Sequence, residues 1–200
     1  GRVLVDRIIA DGDFRFVFQP IVTMGALRVV GYEALARFGA GIDTVDLLNV
    51  AGQAGRRVAL ELALLEGALG AASVFPEGTW IHVNVSPLAA MAPELPEIVA
   101  AAHSHVVLEI TENALFDVDG ANHLRASLPE HCRLAIDDVG AGYAGLSRLI
   151  DLRPDILKID RSMIVGIHAD PARQALVAGL VKFGEVTDAM VIAEGIELAD

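Results

Sequence analysis

The sequence predicts one α/β domain, a (β/α)8 barrel of the TIM type in which one strand runs antiparallel. Three observations carry that expectation. Short apolar, β-branched runs alternate with helical patterns along most of the 200 residues, as in a parallel sheet covered by helices. The first two runs are separated only by Thr23 to Ala26. That gap is too short for the crossover of about a dozen residues that parallel strands need, so this pair is antiparallel. Finally, Glu33, Asn84, Glu109, Asp137, Lys158 and Glu194 each stand in, or at the C-terminal end of, a different run. Both open α/β sheets and barrels place chemistry at that edge. A closed ring brings such neighbours to one point, whereas an open sheet spreads them along a line.

In order, the strand segments are FRFVFQPIV (14–22), LRVVGYEALA (27–36), WIHVNV (80–85), VVLEIT (106–111), LAID (134–137), DILKI (155–159) and MVIAE (190–194). The clearest helix is VALELALLEGALGAA (58–72), with others near 94–102, 121–128 and 171–184. The last begins with Asp170 as N-cap and Pro171 in the first helical position, where a missing N–H costs nothing. Neither a low-complexity tract nor an interdomain linker is visible, so residues 1–200 read as a single domain.

Composition narrows the function classes. At 54% apolar and a mean hydropathy of +0.50 the chain is rich in buried-type residues. No run reaches the ~18 uninterrupted apolar residues of a spanning helix, so the excess is expected in strands covered on both faces, without membrane contact. A net charge of −12 and the lack of a basic stripe argue against a nucleic-acid polymer as partner. An anionic ligand would need its repulsion offset locally, and a divalent cation is the candidate. The single cysteine, Cys132, excludes an internal disulfide framework and suits a reducing, cytoplasmic setting. The chain opens on Gly1 rather than Met and is expected to be an excerpt of a longer protein.

At the rim, four carboxylates and an amide form a hard oxygen set suited to magnesium, manganese or calcium rather than zinc. Within LAIDDVGAGY (134–143) two aspartates stand side by side. Adjacent strand residues point to opposite faces. At the end of the strand, past its last ladder bond, both can turn over the barrel mouth. One can then bridge two cations while its neighbour completes the second, the arrangement that clamps an in-line displacement at phosphorus. Taken singly, each residue has a plain reading: an aspartate pair ahead of a glycine turn, a solvated lysine, an amide satisfying backbone. Joint placement favours chemistry. His103, His105, His123, His131 and His168 read as surface residues, His82 shares a strand face with Asn84, and Cys132 and Trp80 read as packing.

Seven ordered phrases resemble the EAL family of bacterial cyclic di-GMP phosphodiesterases: FQPIV (18–22), YEALAR (32–37), NVSP (84–87), EITEN (109–113), DDVGAGYAGL (137–146), LKIDRS (157–162) and AEGIE (193–197). The resemblance implies two-metal hydrolysis of cyclic di-GMP to linear pGpG, with magnesium or manganese as cofactor and calcium inhibitory. It implies that Glu33, Asn84, Glu109 and Asp137 bind one metal, and that Asp137, Asp138 and Glu194 bind the other. Glu33, Lys158 and Glu194 take part in catalysis, with Lys158 orienting the attacking water. Gln19, Leu35, Arg37 and Asp160 contact the ligand, Arg37 at a phosphate and Gln19 near a guanine. Glu112 braces the loop after Asp138, and Glu197 supports the same rim. A homodimer and sensory or regulatory domains elsewhere in the protein are implied as well.

Two departures stand out. Val139 replaces the usual phenylalanine, and Ala144-Gly145 a serine pair. The sequence also stops at Asp200 with seven strand segments where the barrel needs eight, so the final βα unit is expected to be missing from this chain. The rival to an active enzyme is a cyclic di-GMP receptor or regulatory module. An enolase-type magnesium barrel fits poorly with the aspartate pair and Asn84.

Overall fold

The computed structural model describes residues 1–111, 118–141 and 147–196. Among them lie strands β1 (Phe14–Val22), β2 (Val29–Phe38), β3 (Trp80–Asn84), β4 (His105–Thr111), β5 (Cys132–Val139), β6 (Ile156–Ile159) and β7 (Met190–Ala193). The helices are α1 (Arg2–Asp11), α2 (Thr44–Gln53), α3 (Arg57–Ala71), α4 (Pro87–Ala90), α5 (Leu95–Ala100), α6 (Val118–Ser127), α7 (Ser147–Leu152), α8 (Arg161–Ile164) and α9 (Pro171–Thr187). The strands follow one another in sheet order β1 to β7. β1 and β2 are antiparallel; the β2–β3, β5–β6 and β6–β7 pairs are parallel.

Two strands, β2 and β5, differ from their expected bounds by two residues at each end. β2 starts at Val29 rather than residue 27, because Leu27 adopts φ 49 and the Thr23 N–H donates to the Arg28 carbonyl at 2.9 Å to close the turn. β5 extends beyond 134–137 at both ends. Helices α1, α2, α4, α7 and α8 add to those expected. α2 is started by Asp43, whose carboxylate accepts from the Val45 and Asp46 N–H groups and so satisfies two donors that the helix itself cannot.

The chain forms two compact units. The first runs from Gly1 to Leu108 and includes Ser127–Cys132. Its core joins Val5 and Ile8 of α1, Phe38 of β2, Leu47 and Ala51 of α2, and Leu60 and Leu64 of α3. Burying each such aliphatic side chain contributes about 1.5–3 kcal/mol relative to exposure. Phe14, Phe16 and Phe18 follow one another on one face of β1, and Phe18 meets Phe75, which stacks on Tyr32 at 4.2 Å. β2 and β3 approach so closely at Gly31 that a Cβ there would lie 2.6 Å from the Trp80 carbonyl oxygen. Trp80 itself stacks on His105, ring centroids 4.5 Å apart.

The second unit begins at Glu109 and holds β5, β6 and β7 apart from Cys132. Its core is Ile136, Val139, Leu149, Leu157, Ile159, Leu180 and Ala189. Asp170 caps α9 by accepting from the Ala172 and Arg173 N–H groups, with Pro171 following it as the sequence implies. All four residues of β6 are buried, Lys158 included. A covered lysine in an apolar strand must find anionic partners, and those partners define the site.

Candidate metal centre

In the second unit, Lys158 is 2% exposed and its ammonium meets three acids. Nζ lies 2.9 Å from Glu109 Oε2, 3.1 Å from Asp137 Oδ1 and 2.8 Å from Glu194 Oε1. An ammonium has three N–H donors, and three carboxylates surround this one. Glu109 is fully buried at the end of β4, Asp137 nearly so on β5, and Glu194 half-buried just past β7.

A bulge resolves how two adjacent aspartates share this space. In the β5–β6 ladder Ile136 pairs with Leu157 and Val139 with Ile159, so Asp137 and Asp138 together stand opposite Lys158. Two residues facing one is the signature of a bulge, which re-aims side chains. Asp138 takes φ 58, the left-handed region that non-glycine residues occupy at a cost. Its N–H donates to Asp137 Oδ1 at 3.0 Å. The expectation that the pair lies past the last ladder bond is thereby corrected: β5 continues through Val139, and the extra residue within the ladder lets both aspartates serve one site. Carboxylate oxygens of Asp137, Asp138 and Glu194 lie within 4.8 Å of one another.

With Asp138 beside the three acids on Lys158, four carboxylates stand against one ammonium, an excess of acidic groups. An oxygen-only donor set with surplus anionic charge fits a hard divalent cation. Asp137, Asp138 and Glu194 offer three carboxylates that could hold one, Asp138 from a strained backbone. Gly195, directly after Glu194, has φ 67, and a Cβ there would fall 2.3 Å from Arg161 Cγ.

The first unit brings together a different group. Glu33 accepts from Asn84 Nδ2 at 3.1 Å. Gln19 stands directly opposite Glu33 in the β1–β2 register, and Leu35 and Arg37 follow Glu33 on the same face of β2. Gln19 and Arg37 are exposed, while Glu33 and Leu35 are half-buried. His82, opposite Glu33 in the β2–β3 register, is 3% exposed. Of the histidines read as surface residues, His103, His123 and His168 are exposed. His105 and His131 are half-buried, the first against Trp80 and the second bonded to the Val99 carbonyl at 3.1 Å.

Asp160 lies just past β6 and caps α8, its Oδ1 accepting from the Ser162 N–H at 2.9 Å. The Ser162 hydroxyl, against a smaller opposing effect of burial, holds this carboxyl below the usual aspartate range, and the Ser162 and Arg161 backbone N–H groups add to that. Glu112, Glu197 and the 142–146 stretch lie outside the described residues. A cleft of about 550 Å³ opens at the other, N-terminal ends of β5, β6 and β7, lined by Arg133, Asp155, Asp188 and Met190, away from the acids. One buried acid escaped the sequence reading: Glu61 on α3, bonded to Ser86. Its signal was a carboxylate inside a strongly apolar helical run.

Comparison with known proteins places this geometry. The EAL domain family matches residues 3–200. The chain is 33% identical over 202 residues to an uncharacterized signaling protein of Caulobacter vibrioides, covering 94% of this chain and 25% of that one. It is 29% identical over 213 residues to the probable cyclic di-GMP phosphodiesterase PdeG of Escherichia coli, covering 97% and 42% respectively. It thus spans less than half the length of these relatives. Klebsiella pneumoniae BlrP1, solved with calcium and cyclic di-GMP, matches with a TM-score of 0.81 at 29% identity, over 98% of this chain and 58% of that one. A standalone EAL protein from Vibrio cholerae O395, in its cyclic di-GMP-bound form, matches with a TM-score of 0.78 at 26% identity, over 93% and 82%. The alternating α/β architecture thus matches that of solved EAL proteins, and the chain belongs to the EAL domain family.

Proposed function

We propose that this chain is the catalytic domain of a metal-dependent phosphodiesterase that hydrolyses cyclic di-GMP to linear pGpG. The observation that carries the reading is the buried Lys158 amid Glu109, Asp137 and Glu194, with Asp138 turned into the same space by the bulge. The names of the E. coli relative and the ligands of the BlrP1 structure supply the substrate class.

Asp137, Asp138, Glu194 and Glu109 are the proposed ligands of the second unit, with magnesium or manganese as the working ions. Glu33 and Asn84, held against each other in the first unit, are proposed as oxygen ligands on the family resemblance. Divalent ions bound there would lower the pKa of a coordinated water and polarise phosphate oxygens. The chain's own part is to hold the acids still and keep Lys158 desolvated, so that its ammonium orients the attacking water. Glu33, Lys158 and Glu194 are the proposed catalytic residues. Arg37 contacts a phosphate, Gln19 a guanine, and Leu35 and Asp160 further parts of the ligand. Glu112 and Glu197 support the loops beside the site. Residues 1–200 act as one domain of a longer cytoplasmic signalling protein that works as a homodimer.

The test is incubation with cyclic di-GMP and magnesium or manganese, followed by chromatography for pGpG. Asp137→Asn should abolish product, and calcium should bind yet inhibit because its looser shell misplaces the water. Binding without turnover at neutral and alkaline pH would make the domain a receptor. Near-normal turnover by Asp137→Asn would remove its ligand role.

A further inference from the structure

Glu61 is an acid where none is expected. It sits on α3 between Leu60 and Leu64 of the first core, and it is 6% exposed. A carboxylate taken that far from water must be paired or fully hydrogen-bonded. Its partners divide cleanly between its two oxygens. Oε1 receives Arg57 Nε at 2.9 Å, one helical turn earlier. Oε2 receives both donors of Ser86, the backbone N–H at 3.3 Å and the side-chain hydroxyl.

Ser86 lies two residues past Asn84. Its hydroxyl, while donating to Glu61, accepts from the Ala89 N–H at 3.3 Å and so caps α4. Pro87 follows in the first helical position, and Val85 is buried. The short path from Asn84 to α4 is therefore fixed at its far end by a charge-assisted pair of bonds from α3, which are stronger than neutral ones. Asn84 is exposed at the end of β3, and its side-chain amide donates to Glu33 Oε1 at 3.1 Å. An exposed terminal side chain holds its direction only as well as the backbone beneath it.

We infer that Glu61 is a positioning residue for Asn84: through Ser86 it fixes the backbone that aims the Asn84 amide, and so sets how tightly the domain takes a divalent cation. The inference rests on the proposed reading of Asn84 as a metal ligand. Partners of this kind, one step behind a ligand, typically change metal affinity by about 10–100-fold when removed. Arg57 neutralises Glu61 from the other side, which makes it the natural control for stability alone.

The experiment titrates manganese into the folded protein by calorimetry, without substrate, alongside thermal midpoints in chelator. Glu61→Leu and Ser86→Ala should each weaken manganese binding by about tenfold, and the double variant should lose no more than the worse single. Glu61→Gln, which keeps an acceptor for Ser86, should retain most of the affinity. Arg57→Leu should lower the thermal midpoint while leaving manganese affinity unchanged. A Glu61→Leu protein that binds manganese as wild type does, while Asn84→Ala is weakened, overturns the link and leaves the ligand assignment standing. If Asn84→Ala also binds as wild type, both fall together. Should Glu61→Leu fail to fold, Ser86→Ala decides the question by the same measurement.

Discussion

Lys158 and Glu109 meet at 2.9 Å with their side chains 2% and 0% exposed. Neither could stay charged alone in that position, and the pair is completed by Asp137 and Glu194 at similar distances. Removing one member of a buried ion pair costs about 3–5 kcal/mol, since the remaining charge is left without compensation. Lys158→Met should lose about that much stability in chelator, read by urea unfolding. Saturating manganese should narrow the gap, because a cation then supplies the missing positive charge. A gap of equal size with and without manganese would mean that Lys158 is not the counter-charge of the acids.

Asp138 combines a charge with a left-handed backbone, and two substitutions separate them. Asn tolerates the left-handed region better than most residues, so Asp138→Asn should fold with near-normal stability while weakening manganese binding. Asp138→Ala should lose the ligand and also cost roughly 1–2 kcal/mol for a Cβ held at positive φ without a compensating polar side chain. Equal urea midpoints for the two variants would refute the backbone contribution.

Gly195 follows Glu194 at φ 67, with Arg161 pressed against the place of a Cβ. Gly195→Ala forces either the loop or Arg161 to move, and Glu194 is the adjacent residue. Expected are a loss of about 1–3 kcal/mol in stability and weaker manganese binding, measured by unfolding and by calorimetry. An alanine variant with unchanged manganese affinity would show that Glu194 is aimed independently of this turn.

Asp160 supplies a pH-dependent share of stability. Its carboxyl is held below the ordinary range, first by the Ser162 hydroxyl. A depressed folded pKa means the unfolded chain takes up the proton first. The contribution is therefore present in full above the unfolded value and is lost as pH falls through the folded one, from about pH 5 downward. Asp160→Asn keeps a cap acceptor and removes the titration. The stability difference between wild type and Asp160→Asn should shrink on acidification, and a difference independent of pH would contradict the assignment.

The strands were legible because each is a short β-branched run broken by turn residues, and β1, β3, β4, β6 and β7 end within a residue or so of where the pattern ends. α4 and α8, four residues each, are too short to show periodicity. α2 was passed over, although Asp43 ahead of it is a cap residue whose carboxylate accepts from the Val45 and Asp46 N–H groups. The acids of the site stood out because each interrupts an apolar run. How Asp137 and Asp138 come to face one lysine was not readable, since a bulge belongs to the pairing of two strands rather than to either sequence. Glu61 was passed over because an acid in a helix reads as solvent-facing until its partners are known, even though the apolar run around it marked it.

Trp80 is the chain's only tryptophan, and it opens β3 stacked on the imidazole of His105. Its indole emission therefore comes from a single known place, on the strand that ends in Asn84. Fluorescence can follow the first unit through unfolding or cation addition with no label attached, and a variant that disturbs β3 announces itself as a spectral shift before any assay of turnover is run.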